Sequence, residues 1–376
     1  MIYLDNASTT KPSQAAIEAF SYALEAFGNP SSLHRLGLAA EKIVTKSKQN
    51  IANVLGTDVN QIYFTSGGTE SNNMAILGYC RANFKRANHV ITTKVEHPSV
   101  LSPFAELEKE GFSVSYIDVD ESGRIDTDML ENEIDNNTLL VSVMAANNEV
   151  GTVMPIDKIK KIIKNKGSEA VLHVDAVQAF GKIPLKPEEW GIDMMSLSSH
   201  KIHGIKGCGA LYTATERIKP LLYGGGQQKD LRSGTENVPG IAAFGAAAGE
   251  VNTDNSNMLK MREKLKKAIS DKVENVKFSG SDEFQTGYVL NASFAGIKAE
   301  ILLHMLEAKE IYVSTGSACS SNKPMPSHVL TAMGAAAEDI NGAIRISFAD
   351  LIPDEEIEKT AAEIANCVKE VRKYVR

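Results

Sequence analysis

Short apolar runs rich in β-branched residues alternate with amphipathic segments along the chain up to residue 213. Runs of this length that end at polar or glycine-rich positions are typical of buried strands in α/β proteins. Helical patterns, such as those at 99–110 and 156–166, separate most of the runs. This alternation predicts a mostly parallel sheet with helices on both faces. The seven predicted strands lie at 61–66, 89–94, 113–119, 138–147, 170–177, 194–200 and 208–213.

The pattern changes after a polar stretch at 251–257. Fewer and more widely separated strands are predicted beyond it, at 288–294, 311–315 and 343–348, each next to a helix. A final helix follows Pro353, with three acidic residues in its first turn and basic residues near its end, as the helix dipole favours. These features predict a second, smaller α+β domain. The apolar stripe of the final helix consists of Ile357, Ala361, Ile364, Val368 and Val371.

Composition narrows the class of protein. A hydrophobic content of 43% and a charged content of 23% in 376 residues are ordinary for a globular enzyme. The net charge of −7 argues against nonspecific binding to nucleic acid or to an anionic membrane. Neither a run of about 18 apolar residues nor a signal peptide is evident, so we expect a cytoplasmic protein without membrane segments.

The four cysteines are Cys80, Cys208, Cys319 and Cys367. They are widely spaced, without a CxxC pair or a Cys/His cluster of zinc spacing, so neither a disulfide framework nor a metal site is expected. Cys80, Cys208 and Cys367 lie in apolar, strand-like or helical contexts. Cys319 instead lies in a segment of small and polar residues with two prolines, where an accessible thiolate is a good nucleophile.

Lys201 and Asp175 each follow a predicted buried strand. Neighbouring parallel strands place the residues at their carboxyl ends on the same edge of the sheet, where ligands of α/β proteins bind. A lysine that can form a Schiff base, opposite a carboxylate that can hold a pyridine nitrogen protonated, favours pyridoxal 5'-phosphate as the cofactor. Taken singly, the two residues could also be a surface lysine and a helix-capping aspartate.

A candidate phosphate site lies at 65–71, where a glycine-rich turn joins a predicted strand to a helix. Free amides at a helix start bind anions, although an ordinary strand–helix turn has the same pattern. The sequence lacks the GK[ST] ending of a nucleotide P-loop. Ser198, three residues before the lysine, offers a further hydroxyl donor.

Three more residues fit a site of this kind. His97 follows the strand at 89–94, where an imidazole could stack on the pyridine ring and move protons. Asn148 follows the predicted strand at 138–147 and offers an amide to a cofactor oxygen or a substrate carboxylate. Arg345 interrupts an apolar strand, and its planar fork suits a carboxylate, unless it is a solvated arginine on an edge strand.

Ten segments together resemble cysteine desulfurases of the NifS/IscS type, within the fold-type I (class V aminotransferase) enzymes that use pyridoxal phosphate. They occur in the family's order over essentially the whole chain. The chain departs from the family at 226–232, which lacks the usual Glu and Gly of the family's E-x-G-x-R pattern. The segments are YLDNASTT (3–10), GNPSSLH (28–34), TSGGTESNN (65–73), EHPSV (96–100), NNEVG (147–151), HVDAVQ (173–178), SSHK (198–201), RSGTEN (232–237), STGSACSS (314–321) and AIRIS (343–347).

The resemblance implies a fold-type I architecture with a large cofactor-binding domain at 15–251. Residues 1–14 together with 252–376 would form the small domain that carries the cysteine loop. It implies Lys201, His97 and Cys319 as catalytic residues, and Arg345 and Asn148 as ligands of the substrate carboxylate. The implied cofactor ligands are Gly68, Thr69, His97, Asn148, Asp175, Gln178, Ser198, His200, Lys201 and, from the second subunit of a homodimer, Thr235.

The activity implied is removal of sulfur from L-cysteine, giving L-alanine and a persulfide on Cys319. The sulfur would pass to an acceptor protein, such as an iron–sulfur scaffold or a tRNA-thiolation enzyme. Two alternatives stay open on the sequence. One is a pyridoxal-phosphate C–S lyase or aminotransferase in which Cys319 takes no part. The other is a noncatalytic paralogue that keeps the fold and binds a partner.

Overall fold

The computed structural model describes residues 1–316 and 326–374. Within these ranges the strands are β1 (Ile2–Tyr3), β2 (Ile62–Thr65), β3 (His89–Thr93), β4 (Ser113–Ile117), β5 (Thr138–Met144), β6 (Val171–Asp175), β7 (Met194–Ser198), β8 (Gly209–Thr213), β9 (Val276–Ser279), β10 (Val289–Phe294), β11 (Ile311–Tyr312), β12 (Ser314–Thr315) and β13 (Ala343–Ser347).

The helices of the same ranges are α1 (Gln14–Glu25), α2 (Arg35–Leu55), α3 (Gly68–Asn73), α4 (Tyr79–Asn83), α5 (Pro98–Lys109), α6 (Thr127–Glu133), α7 (Ile156–Asn165), α8 (Pro187–Trp190), α9 (Val238–Glu250), α10 (Ser256–Ser270), α11 (Ala299–Glu307), α12 (His328–Ala332), α13 (Ala337–Asn341) and α14 (Asp354–Arg372). A π-helical turn at Met74–Gly78 joins α3 to α4. No helix of the described ranges has the length and apolar character to cross a membrane.

A seven-stranded sheet has the strand order β2-β8-β7-β6-β5-β3-β4. Its neighbours from β7 to β4 pair in parallel, whereas β8 is antiparallel to both β2 and β7. Successive residues of a strand face opposite sides, so Leu140 and Val141 of β5 enter different cores. All seven strands predicted from the sequence are present, and the prediction of a mostly parallel sheet covered by helices is confirmed.

A second, antiparallel sheet has the order β12-β13-β10-β9. The amino-terminal strand β1 pairs in parallel with β11, which brings the start of the chain beside this sheet. Ile2 and Leu4 share a hydrophobic core with β10, β13 and α14. All five residues of the predicted stripe on α14 are buried there. The domain boundaries at 15 and 251 stay a prediction. Val329 and Leu330, which that prediction assigns to the small domain, pack into the core of the large sheet.

One predicted strand differs from the structure. The run 311–315 forms two short strands, β11 and β12, which belong to different sheets. Val313 separates them, so the chain leaves the partner β1 and continues along β13. A two-residue strand has too few positions for alternation to show, so the sequence pattern could not separate them.

Candidate active site

Lys201 ends a 3₁₀ turn, Ser199–Lys201, that directly follows β7. Asp175 is the last residue of β6, and β6 and β7 pair in parallel. The lysine and the carboxylate therefore lie at the carboxyl edge of the large sheet. The Nζ of Lys201 donates to the carbonyl oxygens of Ala7 at 2.6 Å and Ser8 at 2.7 Å. The amino-terminal segment of the chain thus contacts the lysine directly.

Two donors fix the carboxylate of Asp175, which is 5% exposed. The backbone N–H of Val177 donates to Oδ1 at 3.0 Å, and Nδ2 of Asn72 donates to Oδ2 at 2.8 Å. Hydrogen bonds to an ionised carboxylate stabilise its charged form. Sequence reasoning missed Asn72, although it lies in the TSGGTESNN segment, because nothing in that segment indicates which strand its amide faces.

His97 is the N-cap of α5, and its Nδ1 accepts a hydrogen bond from the backbone N–H of Ser99 at 3.1 Å. A neutral imidazole that accepts at Nδ1 carries its proton on Nε2. Burial lowers the pKa of His97 below its ordinary value, opposed by the charge of Asp175. The ring is therefore neutral at pH 7, which suits stacking on another ring and proton transfer.

The predicted phosphate end consists of Gly68, Thr69, Ser198 and His200. A Cβ at Gly68 would lie 2.6 Å from Cγ2 of Val177, so a side chain at this position would have to displace a neighbour. Within the described ranges, no side chain caps the amides at the start of α3. Burial, with help from nearby lysines, lowers the pKa of His200 to about 4, so this ring is a neutral donor at pH 7.

Arg345 lies on β13, between β12 and β10, and is 2% exposed. The alternative of a solvated arginine on an edge strand is therefore wrong. Its Nη2 donates to Oδ1 of Asp5 at 2.8 Å and to Oγ of Ser8 at 2.6 Å, and its Nη1 donates to the carbonyl oxygen of Asn148 at 3.1 Å. The sequence predicted an anionic partner for a buried arginine but did not identify Asp5.

A cavity of about 360 Å³ joins these groups. Ala7 and Ser8 of the amino-terminal segment line the cavity as well. Asn72 does not line it but donates to Asp175, which does. Ligand sites of this kind are concave, with a few polar groups that converge on one space. The predicted residues that line the cavity are Gly68, Thr69, His97, Asn148, Asp175, Gln178, Ser198, His200, Lys201 and Arg345.

Two predicted residues fall outside this set. Thr235 is exposed and outside the cavity. Cys319 lies outside the described residues. Gly316 is the last described residue before Cys319. Its backbone lies against the buried carboxylate of Glu149, and a Cβ at Gly316 would lie 2.4 Å from Oε2 of Glu149. Ser327, in the second described range, donates to the same Oε2 at 2.6 Å. Sequence reasoning gave Glu149 no role.

The loop before Thr235 contains the departure from the family pattern. Gln228, Lys229 and Asp230 all have left-handed backbone angles, with φ of 49°, 56° and 64°. Such a run is unfavourable for residues other than glycine and needs support from its surroundings. The Gln228 side chain supplies it: Oε1 accepts from the backbone N–H of Phe64 at 2.9 Å, and Nε2 donates to Glu236.

Comparison with known proteins identifies the class. The family model "Aminotransferase class-V" matches residues 2–360. A cysteine desulfurase IscS of Methanosarcina thermophila is 41% identical over 99% of this chain and 93% of its own length. A solved structure titled "NIFS-LIKE PROTEIN" has a TM-score of 0.92 and 37% identity, and covers 98% of this chain and 99% of its own. A second structure, titled "SspA in complex with cysteine", has a TM-score of 0.83 and 32% identity, with coverage of 93% and 99%.

The chain therefore belongs to the class-V aminotransferases, and within them to the cysteine desulfurases. Enzymes of this family depend on pyridoxal 5'-phosphate. The cavity fits that group at three points: the close approach allowed by Gly68, the carboxylate of Asp175 with both oxygens held, and Lys201 at the edge of the same sheet.

Proposed function

We propose that this chain removes sulfur from L-cysteine in the cavity at the carboxyl edge of the large sheet. The observation that carries the proposal is that one cavity brings together Lys201, Asp175 and Arg345, which lie on the turn after β7, on β6 and on β13, respectively. A Schiff-base lysine, a partner for a pyridine nitrogen and an anion-binding arginine are the groups that a pyridoxal-phosphate enzyme needs for an α-amino acid.

Most of the predicted residues that line the cavity would bind the cofactor. Lys201 would bind it covalently, and Asp175 would keep its pyridine nitrogen protonated. His97 would stack on the ring, while Gln178 and Asn148 would donate to its phenolic oxygen. The phosphate would bind at Gly68, Thr69, Ser198 and His200, joined by Thr235 of the second subunit. When bound, pyridoxal phosphate supplies an electron sink for charge released at the carbons of the amino acid.

The remaining steps belong to residues of the chain. Arg345, helped by Asn148, binds the substrate carboxylate and fixes the orientation of its Cα. Lys201 takes the proton from Cα and returns a proton to Cα once the carbon–sulfur bond is broken, and neutral His97 is placed to move protons between the groups of the site. The thiolate of Cys319 bonds to the substrate sulfur as the carbon–sulfur bond breaks. The electron pair stays with the carbon, which takes up a proton, so the products are L-alanine and a persulfide on Cys319.

The experiment that tests this proposal replaces Cys319 with serine. Cys319→Ser should bind the cofactor and change its absorption on addition of L-cysteine, because those steps use Lys201, Asp175 and Arg345. It should fail to release L-alanine, since a serine hydroxyl cannot accept the sulfur. Cys80→Ala is the matched control, because Cys80 is buried. Normal alanine production by Cys319→Ser would contradict the proposal and favour the C–S lyase alternative.

We also propose a homodimer with composite sites. The exposed position of Thr235 outside its own cavity supports this, because the residue is then available to a second subunit. Large apolar side chains exposed on and around α1 and α2, and again just before the Thr235 loop, support an interface between copies. They are Tyr22, Leu24, Phe27, Leu33, Leu36, Leu222 and Tyr223.

The sulfur acceptor would be a protein, such as an iron–sulfur scaffold or a tRNA-thiolation enzyme. A persulfide on a segment of small, polar residues suits transfer to a partner without release of free sulfide. Trapping persulfide-linked complexes and identifying them by mass spectrometry would identify the acceptor. Release of all the sulfur as free sulfide in the presence of cell extract would contradict transfer to a protein.

A further inference from the structure

Lys182 is a buried lysine that the steps above do not use. It is 5% exposed, and its Nζ lies 5.5 Å from the centre of the Tyr288 ring. Burial lowers the pKa of Lys182 to about 7, and the positive charges of Lys201 and Arg345 act in the same direction. An ammonium group is costly to bury, so a lysine here needs a reason beyond packing.

The contact of Lys182 with Gln178 fixes the direction of an amide. Nζ of Lys182 donates to Oε1 of Gln178 at 3.1 Å, and Nε2 of Gln178 donates to the carbonyl oxygen of Ala7 at 2.8 Å. The carbonyl of Ala7 can only accept, and Nζ of Lys182 carries N–H donors in either protonation state, so both contacts place the oxygen of the amide toward Lys182. The N–H end of Gln178 consequently faces Ala7 and the cofactor cavity.

Lys182 also lines a second cavity, together with other charged groups. A second cavity, of about 590 Å³, lies beside the first and is lined by both Lys182 and Lys201. Lys11, His203, Glu250 and Asp350 line it too. Charged side chains are among the residues that line this cavity, and it is large enough for water, so the Lys182 amine can be solvated from one side while it holds Gln178 on the other.

We propose that Lys182 is a positioning residue: it holds the Gln178 amide so that an N–H, and not the carbonyl oxygen, faces the phenolic oxygen of pyridoxal phosphate. The inference rests on the proposed function. An N–H donor stabilises the phenolic oxygen in its anionic form, whereas an amide oxygen in the same place would repel it. Lys182 thereby lowers the pH at which the lysine-bound cofactor loses its proton.

The test follows the visible absorption of the cofactor-loaded protein between about pH 6 and pH 9.5. Lys182→Met replaces the ammonium with an apolar side chain of similar length, and Gln178→Leu removes the amide. Loss of one hydrogen bond to the anionic form should raise the midpoint of the spectral change by roughly half to one pH unit in each variant. The double variant should shift no further than Gln178→Leu, because Lys182 acts through Gln178.

Lys186→Met, at an exposed position four residues along the chain, is the matched control and should keep the wild-type midpoint. A thermal melt of each variant separates loss of folding from loss of the contact. An unshifted midpoint in folded Lys182→Met, or additive shifts in the double variant, would overturn the inference. If the wild-type protein showed no lysine-bound cofactor band at all, the proposed function would fail instead, so the two failures are distinguishable.

Discussion

Replacing Arg345 with lysine should weaken both the fold and the binding of L-cysteine. The guanidinium donates three hydrogen bonds from two nitrogens while 2% exposed, whereas a lysine has one nitrogen and a shorter reach. About two hydrogen bonds would be lost, at roughly 1–1.5 kcal/mol each. We therefore expect the free energy of unfolding of Arg345→Lys to fall by about 2–3 kcal/mol.

The effect on binding has a separate cause. A guanidinium can bind a carboxylate through two parallel hydrogen bonds, and lysine offers a point charge in its place. We expect the dissociation constant for L-cysteine to rise about 10- to 100-fold, which corresponds to roughly 1.4–2.8 kcal/mol. Urea unfolding measures the first effect, and the absorbance change of the cofactor-loaded protein on titration with L-cysteine measures the second.

Asp5→Asn distinguishes the two roles of Arg345. It removes the anionic partner, whose side chain is 23% exposed, but leaves the guanidinium and its contacts with Ser8 and Asn148. This variant should lose stability, by about 1–2 kcal/mol, and keep its affinity for L-cysteine within about threefold. If Arg345→Lys bound L-cysteine as tightly as the wild-type protein, Arg345 would not be the carboxylate ligand and the proposed orientation of the substrate would be wrong.

Two further predictions concern the cofactor lysine and the assembly. Borohydride treatment of the yellow, cofactor-loaded protein should bleach its absorption band and fix the cofactor to the peptide containing Lys201; label on a different lysine would contradict the assignment. Lys201→Ala should still bind cofactor weakly, through Asp175 and the phosphate contacts, but should not turn over. Because Thr235 is proposed to complete a neighbour's site, mixing inactive Lys201→Ala with a Thr235 variant should restore activity in hybrid dimers, whereas a fully active monomer in sedimentation would refute composite sites.

The parts of the fold that the sequence predicts are those in which local pattern and burial agree. Strands β5 to β7 are buried along their whole lengths, so their sequences are mostly apolar runs. Polar residues follow directly at their carboxyl ends, which is why the sequence alone assigns Asp175 and Lys201 to one edge of the sheet. On α14, every residue of the predicted stripe is buried, because the helical period maps directly onto one face.

The parts that could not be predicted depend on distant contacts. Strand β1 has two residues and exists because β11 lies beside it, and Asp5 pairs with an arginine 340 positions away. Neither has a local signal, since periodicity needs several residues and charge pairing needs the fold. The left-handed run at 228–230 contains no glycine and is held by the contacts of Gln228 with Phe64 and Glu236, so turn chemistry could not reveal it.

The position of the first ten residues has a consequence for biosynthesis. They contact Lys201 and pair with strands near the far end of the chain: Asn6 donates to the carbonyl oxygen of Ser347, 341 positions later. At about 5–20 residues per second, a ribosome would take roughly 20 to 70 seconds to make the intervening chain. The first residues lack this partner until residue 347 has been made, well after β8 has completed the sequence of the large sheet at residue 213. Cofactor binding should therefore be a late event in maturation, after the segment around residue 347 has been made and has paired with the first residues.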